Sequence, residues 1–231
     1  MTIIHLIRHG QASFGHKNYD QLSSKGEIQA QVLGQYLGQI INETPFVIAG
    51  SMQRHQQTAH LAMQYFSQPS IHTDTAWNEF DHQQIFALYN ARFANPELVK
   101  QDMSNAENPT EFMTEIFNAA MKRWIDAQYD HQYTESWIEF NQRVERALVN
   151  LAQQLNQYTP KHAVVFSSGG VISLVIAKLL GLDFEGTAEL IWKISNASIT
   201  TLNFKDQSFH LLRMNEYHYL ESEENQLATW V

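Results

Sequence analysis

The chain of 231 residues is long enough to bury one sizeable core, and its 24 acidic against 15 basic residues, a formal charge of −9, argue against a nucleic-acid partner. Disulfides and thiolate catalysis are ruled out because there is no cysteine. No apolar run reaches the roughly 18 residues that a membrane span needs, and Ile3 to Ile7 is too short for a signal sequence, so a cytoplasmic location and no membrane partner are expected.

Ile3 to Ile7 reads as a short buried strand that delivers Arg8, His9 and Gly10 to its carboxyl end, where open α/β folds place their ligand sites. Ser23 is a candidate cap for the next helix, whose apolar stripe is Ile28, Val32, Leu33, Tyr36, Leu37, Ile40 and Ile41. Phe46 to Ala49 reads as a second strand and Ser51 to Tyr65 as its helix, with Arg54 in the first turn, where the helix dipole adds to the attraction for an anion. Helices are expected over about Glu111 to Tyr129 and Trp137 to Tyr158, the first with Pro109 near its start.

Ala163 to Phe166 reads as a third strand, followed by Ser167-Ser168-Gly169-Gly170 and a helix over Val171 to Leu180 with Gly181 as its C-cap. The two glycines permit a close turn whose N–H groups face a phosphate, and Ser168 adds a hydroxyl. Ile199 to Phe204 and Phe209 to Met214 read as a late hairpin. The expected fold is α/β, a three-layer α/β/α domain over residues 1–231 with a mixed, mostly parallel sheet. No linker divides it, and a mainly helical cover is expected at about residues 73–132.

Histidine is able to attack phosphorus, and arginine holds phosphoryl oxygens through its fork of donors. Three strands ending in Arg8-His9, near Arg54, and in Ser168-Gly169 therefore suggest a phosphoryl-transfer pocket. A departing alkoxide also needs an acid. Glu79, between Trp77 and Phe80, is the first choice and Asp81 the competitor. Ser168 lacks a G-x-S-x-G elbow, and neither an H-E-x-x-H nor a P-loop is present. His5, His9 and His16 have no metal-ligand cadence, so no metal and no cofactor are expected. Trp137, Phe140 and Val144 read as a helix face, and His5 as packing.

These segments resemble the histidine phosphatase superfamily, in its phosphoglycerate-mutase-like branch. Ile7-Arg8-His9-Gly10-Gln11 is similar to the signature after the first strand, and Leu22 to Ala30 to the opening of the first long helix. Ser51 with Arg54 and Gln57-Thr58-Ala59 is similar to the second-arginine motif, and Asn78-Glu79 to the acid-bearing segment. Val164 to Ile172 and Asn196 to Ile199 extend the likeness. The resemblance implies His9 as the phosphorylated nucleophile, Arg8 and Arg54 as phosphate clamps and Glu79 as proton donor. Gly10, Gln11, Ser168 and Gly169 complete the phosphate pocket. It also implies two substitutions: Ser168 stands where the family has its second pocket histidine, and Gly15 where an asparagine is common. His55 and His82 are the candidates to supply the missing imidazole.

The resulting expectation is a metal-independent phosphomonoesterase acting on a small phosphorylated metabolite. Arg92 and Lys100 make no basic cluster in the cover, while Trp77, Phe80, Phe86 and Tyr89 favour a partly apolar monoester. The alternatives are a phosphoglycerate-type mutase and a non-catalytic phospho-ligand or protein-binding module. The oligomeric state is left open.

Overall fold

The structure is a computed structural model that describes residues 1–13, 20–221 and 226–230. Gly15 and His16 lie outside the described residues. The chain divides into two compact units, one of residues 1–79 with 144–231 and one of Phe80–Arg143.

The first unit holds a six-stranded mixed sheet: β1 (Thr2–Arg8), β2 (Phe46–Ala49), β3 (Ile71–Thr73), β4 (His162–Ser167), β5 (Ile199–Lys205) and β6 (Ser208–Glu216), in the order β3-β2-β4-β1-β5-β6. β1 to β4 pair in parallel, β5 runs antiparallel to β1, and β6 antiparallel to β5. The near-continuous apolar runs of β1, β2 and β4 suit a sheet covered on both faces. Ile7, Val47, Ala49, Val164 and Phe166 share one core cluster with Leu33, Leu37, Ala59, Ala62 and Met63, carried by α1 (Ser24–Ile40) and α2 (Gln53–Met63). The alternate residues Ile4, Leu6, Ile48 and Val165 are equally buried, and α7 (Gly169–Leu180) packs against β1. Asp206 and Gln207, both with positive φ, make the tight turn between β5 and β6. The fold is thus the three-layer α/β/α arrangement read from the sequence.

Ser23 caps α1 by accepting from the Gly26 N–H, and Gly181 ends α7 in the left-handed conformation. The apolar stripe of α1 is narrower than read: Ile28 and Ile40 are exposed, while Gly26, Gln29, Ala30 and Gly34 join Leu33 and Leu37 on the buried face. Small residues are needed there because the chain approaches closely. A Cβ on Gly10 would lie 2.4 Å from the Gly26 carbonyl oxygen.

The second unit contains α3 (His82–Tyr89), α4 (Pro96–Asn105) and α5 (Pro109–Ile125), with Phe80, Trp124 and Phe140 in mutual ring contact. Phe140 opens the buried face of α6 (Trp137–Tyr158), which continues through Val144, Ala147, Leu151 and Leu155. The helix α8 (Phe184–Lys193) completes the first unit. Among the described residues no helix is long and apolar enough to cross a membrane.

Candidate active site

The parallel register sets Arg8 opposite Ser167 and Ala49 opposite Phe166, so three strands end together. His9 follows β1 directly. Its N–H donates to the Ser167 carbonyl at 2.9 Å, and its own carbonyl accepts from the Ala197 N–H at 3.1 Å and from Asn196 Nδ2 at 3.4 Å. The backbone is therefore held on two sides.

His9 is 6% exposed. Arg54 Nε, which is able only to donate, lies 3.2 Å from His9 Nε2, so that nitrogen accepts. The proton of the neutral ring then belongs on Nδ1, which donates to the Gly10 carbonyl at 2.7 Å. Burial first, then the charges of Arg54 and Arg8 and the neighbouring His55, hold the His9 pKa well below its ordinary value. The arrangement presents a neutral imidazole with a lone pair on Nε2.

Arg54 sits in the first turn of α2, buried, and pairs through Nη1 with Asp20 Oδ1 at 2.5 Å. Asp20 Oδ2 also accepts from the Gln53 N–H at 2.8 Å. One carboxylate thus steadies the guanidinium and caps α2, whose own N-cap, Met52, has no side-chain bond to give. Nothing in the local sequence marks Asp20, because its partners lie more than 30 residues away. Arg8 is anchored through Nη1 by the carbonyls of Ile194 and Trp230, the latter at 2.9 Å. Its guanidinium lies beside Gly169, where an added Cβ would approach Nε to 3.5 Å.

The motif residues of α2 have separate tasks. Gln57 Oε1 accepts from the Leu22 N–H at 2.8 Å, Thr58 Oγ1 accepts from the Gly10 N–H at 3.1 Å, and Ala59 is buried in the core. The Gln11 N–H is likewise donated to Gln29 Oε1 at 2.7 Å, and Gln11 Oε1 accepts from the capping Ser23 hydroxyl at 2.9 Å. These bonds fix the loop after β1 onto α1 and α2, a use of Gly10 and Gln11 that the sequence reading did not include.

Glu79 Oε2 accepts from the Gly170 N–H at 2.8 Å, at the start of α7. Its segment is tied down twice: Asn78 accepts from the Ser51 N–H at 2.7 Å and donates to Ser51 Oγ at 2.8 Å, and the Trp77 carbonyl accepts from Ser167 Oγ at 2.7 Å. The site therefore gathers His9, Arg54, Glu79, Ser168 and Gly169 at one end of the sheet, with Arg8 alongside. Asp81 instead caps α3 through the Gln84 N–H.

Ser168 Oγ lies 2.6 Å from His55 Nε2, and the His55 ring is 5.6 Å from that of His9. His82 belongs to the second unit, its ring edge-on to Phe86. Trp77 and Phe80 are buried core rings. Arg92 pairs with Asp102 through two 2.7 Å bonds, and His5 stacks on His162, within the sheet. Among the described residues no three His, Cys, Asp or Glu side chains converge to hold a metal ion.

Solved structures share this architecture. An alpha-ribazole phosphatase from Shigella flexneri is 22% identical, covering 93% of this chain and 96% of that one, with a TM-score of 0.63. A phosphoglycerate mutase from Bacillus anthracis str. Sterne is 16% identical, covering 94% of each chain, with a TM-score of 0.64. A mutant phosphoserine phosphatase from Entamoeba histolytica, in complex with phosphoserine, is 18% identical, covering 96% of this chain and 100% of that one, with a TM-score of 0.63. No curated protein matches by sequence. At these identities the structures speak for the fold alone. The sequence profile of the histidine phosphatase superfamily, branch 1, matches residues 4–91 and 92–217. With a profile match that covers most of its length, the chain belongs to the histidine phosphatase superfamily, branch 1.

Proposed function

We propose that the protein is a metal-independent phosphomonoesterase that acts through a phosphohistidine on a small phosphorylated metabolite. The observation that carries this reading is the state of His9: a buried neutral ring, its Nδ1 proton engaged by Gly10 and its Nε2 lone pair beside Arg54. A receptor that only bound anions would gain more from a charged imidazole than from a neutral one.

In the proposed reaction Nε2 attacks phosphorus in line. The bond to the leaving oxygen breaks with its electron pair going to that oxygen, which takes a proton from Glu79. Because Glu79 Oε2 accepts from Gly170, the proton it delivers is carried on Oε1. Water then attacks the phosphohistidine, Glu79 takes up its proton, and phosphate leaves with Nε2 restored. Arg54 moves its donors from His9 to the equatorial oxygens, and Arg8 contributes its positive charge from beside Gly169. With a net charge of −9 on the chain, these two guanidinium groups supply the local attraction for an anion. The partner is a small phosphorylated molecule, with no nucleic acid and no membrane.

The test is phosphate release from a panel of small phosphomonoesters, with and without a bisphosphoglycerate primer, beside His9→Ala and Arg54→Ala. Release by the wild type, with acid-labile label trapped in rapid quench and none trapped on His9→Ala, is the expected result. Primer-dependent isomerisation faster than release would make the protein a mutase. Turnover no higher than that of His9→Ala, with phosphate binding lost in Arg54→Ala, would make it a binding module.

A further inference from the structure

Ser168 stands at the N-cap of α7, yet its hydroxyl caps nothing. The Gly170 N–H goes to Glu79 instead. Ser168 Oγ is directed to His55 Nε2 at 2.6 Å, and both residues are almost wholly shielded from solvent. The other ring nitrogen of His55, Nδ1, is buried without a hydrogen-bond partner among the described residues. It lies against Gly50, where a Cβ would come within 2.2 Å of it.

These contacts fix the proton. Burial first and Arg54 second hold His55 well below its ordinary pKa, so the ring is neutral and carries one N–H. On Nδ1 that N–H would be a buried donor with nothing to bond, which proteins avoid. It therefore resides on Nε2 and is donated to Ser168 Oγ, leaving the serine's own hydrogen for another acceptor. The serine follows Ser167, whose carbonyl holds the His9 N–H, and the His55 ring is 5.6 Å from the His9 ring.

We propose that His55 and Ser168 form a two-member donor relay, in which the Ser168 hydroxyl donates to an equatorial oxygen of the phosphoryl group at His9 while His55 Nε2–H donates to Ser168 Oγ. Ser168 touches the reacting group, and His55 is a positioning residue that acts through it. Charge developing on the phosphoryl oxygen strengthens both bonds together, because each polarises the other. The relay rests on the phosphoryl-transfer reading above. It gives Gly50 a task as well, since only a residue without a side chain leaves the His55 ring its place.

The experiment measures kcat and KM with 4-nitrophenyl phosphate for the wild type, Ser168→Ala, His55→Phe, His55→Gln and the double variant Ser168→Ala/His55→Phe, each first checked for a cooperative melt. Both single variants are expected to lower kcat by about 10- to 100-fold with KM changed by less than about threefold. The double variant is expected to be no slower than the slower single one, and His55→Gln, whose amide reaches as an Nε2–H donor, to recover most of the rate. A wild-type rate for His55→Phe, additive losses in the double variant, or no recovery by His55→Gln would overturn the relay. If the wild type turns over no faster than His9→Ala, the enzyme reading fails and the same set is compared for binding of orthovanadate. Equal, non-additive weakening there supports the relay in a binding site, and unchanged affinity overturns it.

Discussion

At the scale of single residues, the site depends on keeping one imidazole neutral beside two guanidinium groups. In the proposed reaction the neutral form of His9 is the attacking form, and burial, Arg54 and Arg8 all lower its pKa. Its ring should therefore titrate below 6.5 in an NMR pH titration, and Arg54→Gln, which removes the larger of the charge effects, should move the midpoint upward. A wild-type midpoint at or above 6.5 would contradict the geometry. In the phosphatase reading the acid limb of kcat/KM follows the same group, so activity persists as the pH falls through 6.5 and is lost only below. Asp20 is a second target. Asp20→Asn removes the charge that holds Arg54 Nη1 and weakens the cap on α2, for a loss of roughly 1–2 kcal/mol in kcat/KM, or about 5- to 30-fold. An unchanged kcat/KM would show that Arg54 is positioned by its helix alone.

At the scale of elements, close backbone approach outweighs helix propensity. Gly34 lies mid-way along α1, where alanine would ordinarily stabilise a helix by about 1 kcal/mol. Here an added Cβ would fall 2.5 Å from the Ala62 carbonyl oxygen of α2, and overpacking of this kind costs about 1–3 kcal/mol. Gly34→Ala should therefore lower the denaturation midpoint, whereas a rise would show that the two helices separate easily. The same contest explains what was legible in the sequence. β1, β2 and β4 could be read because both faces are buried and their apolar runs are unbroken. β3 could not: Ile71–Thr73 has three residues, two of them exposed, at the edge of the sheet. α3, α4 and α8 lack a long apolar stripe, although their capping residues Asp81, Asn95 and Asp183 stand in the sequence. His9 and Arg54 stand out in the sequence because each sits in a short motif just after a strand end, and Glu79 because it lies between Trp77 and Phe80. Asp20 and the His55–Ser168 contact could not be placed, since they join residues 34 and 113 positions apart through the fold alone.

At the scale of the whole molecule, the central strands carry a stacked pair of histidines, His5 buried and His162 half-buried. His5, stacked on His162 with 3.3 Å between Nε2 and Nδ1, has its pKa lowered to about 4, by burial first and then by His162 and Arg213. The unfolded chain takes up a proton near 6.5 that the folded chain refuses until about 4. Stability is therefore undiminished above 6.5 and falls as pH drops towards 4, by up to about 3 kcal/mol from this group. The fall in Tm from pH 6.5 to 4.5 should be shallower in His5→Phe than in the wild type, and an identical slope would assign acid lability to other groups. The parallel pairing of β1 with β4 also governs how the protein is made. Thr2 Oγ1 bonds the Pro160 carbonyl, 158 residues away, and β1 pairs on its other edge with the still later β5. A ribosome that has released the first 150 residues has therefore made His9, Arg54 and Glu79 without either neighbour of the strand that carries His9. Such long-range pairing is slow to form, and until it forms the apolar Ile3 to Ile7 has no partner strand on either edge, so the growing chain carries an unpaired apolar segment until β4 and β5 have been made.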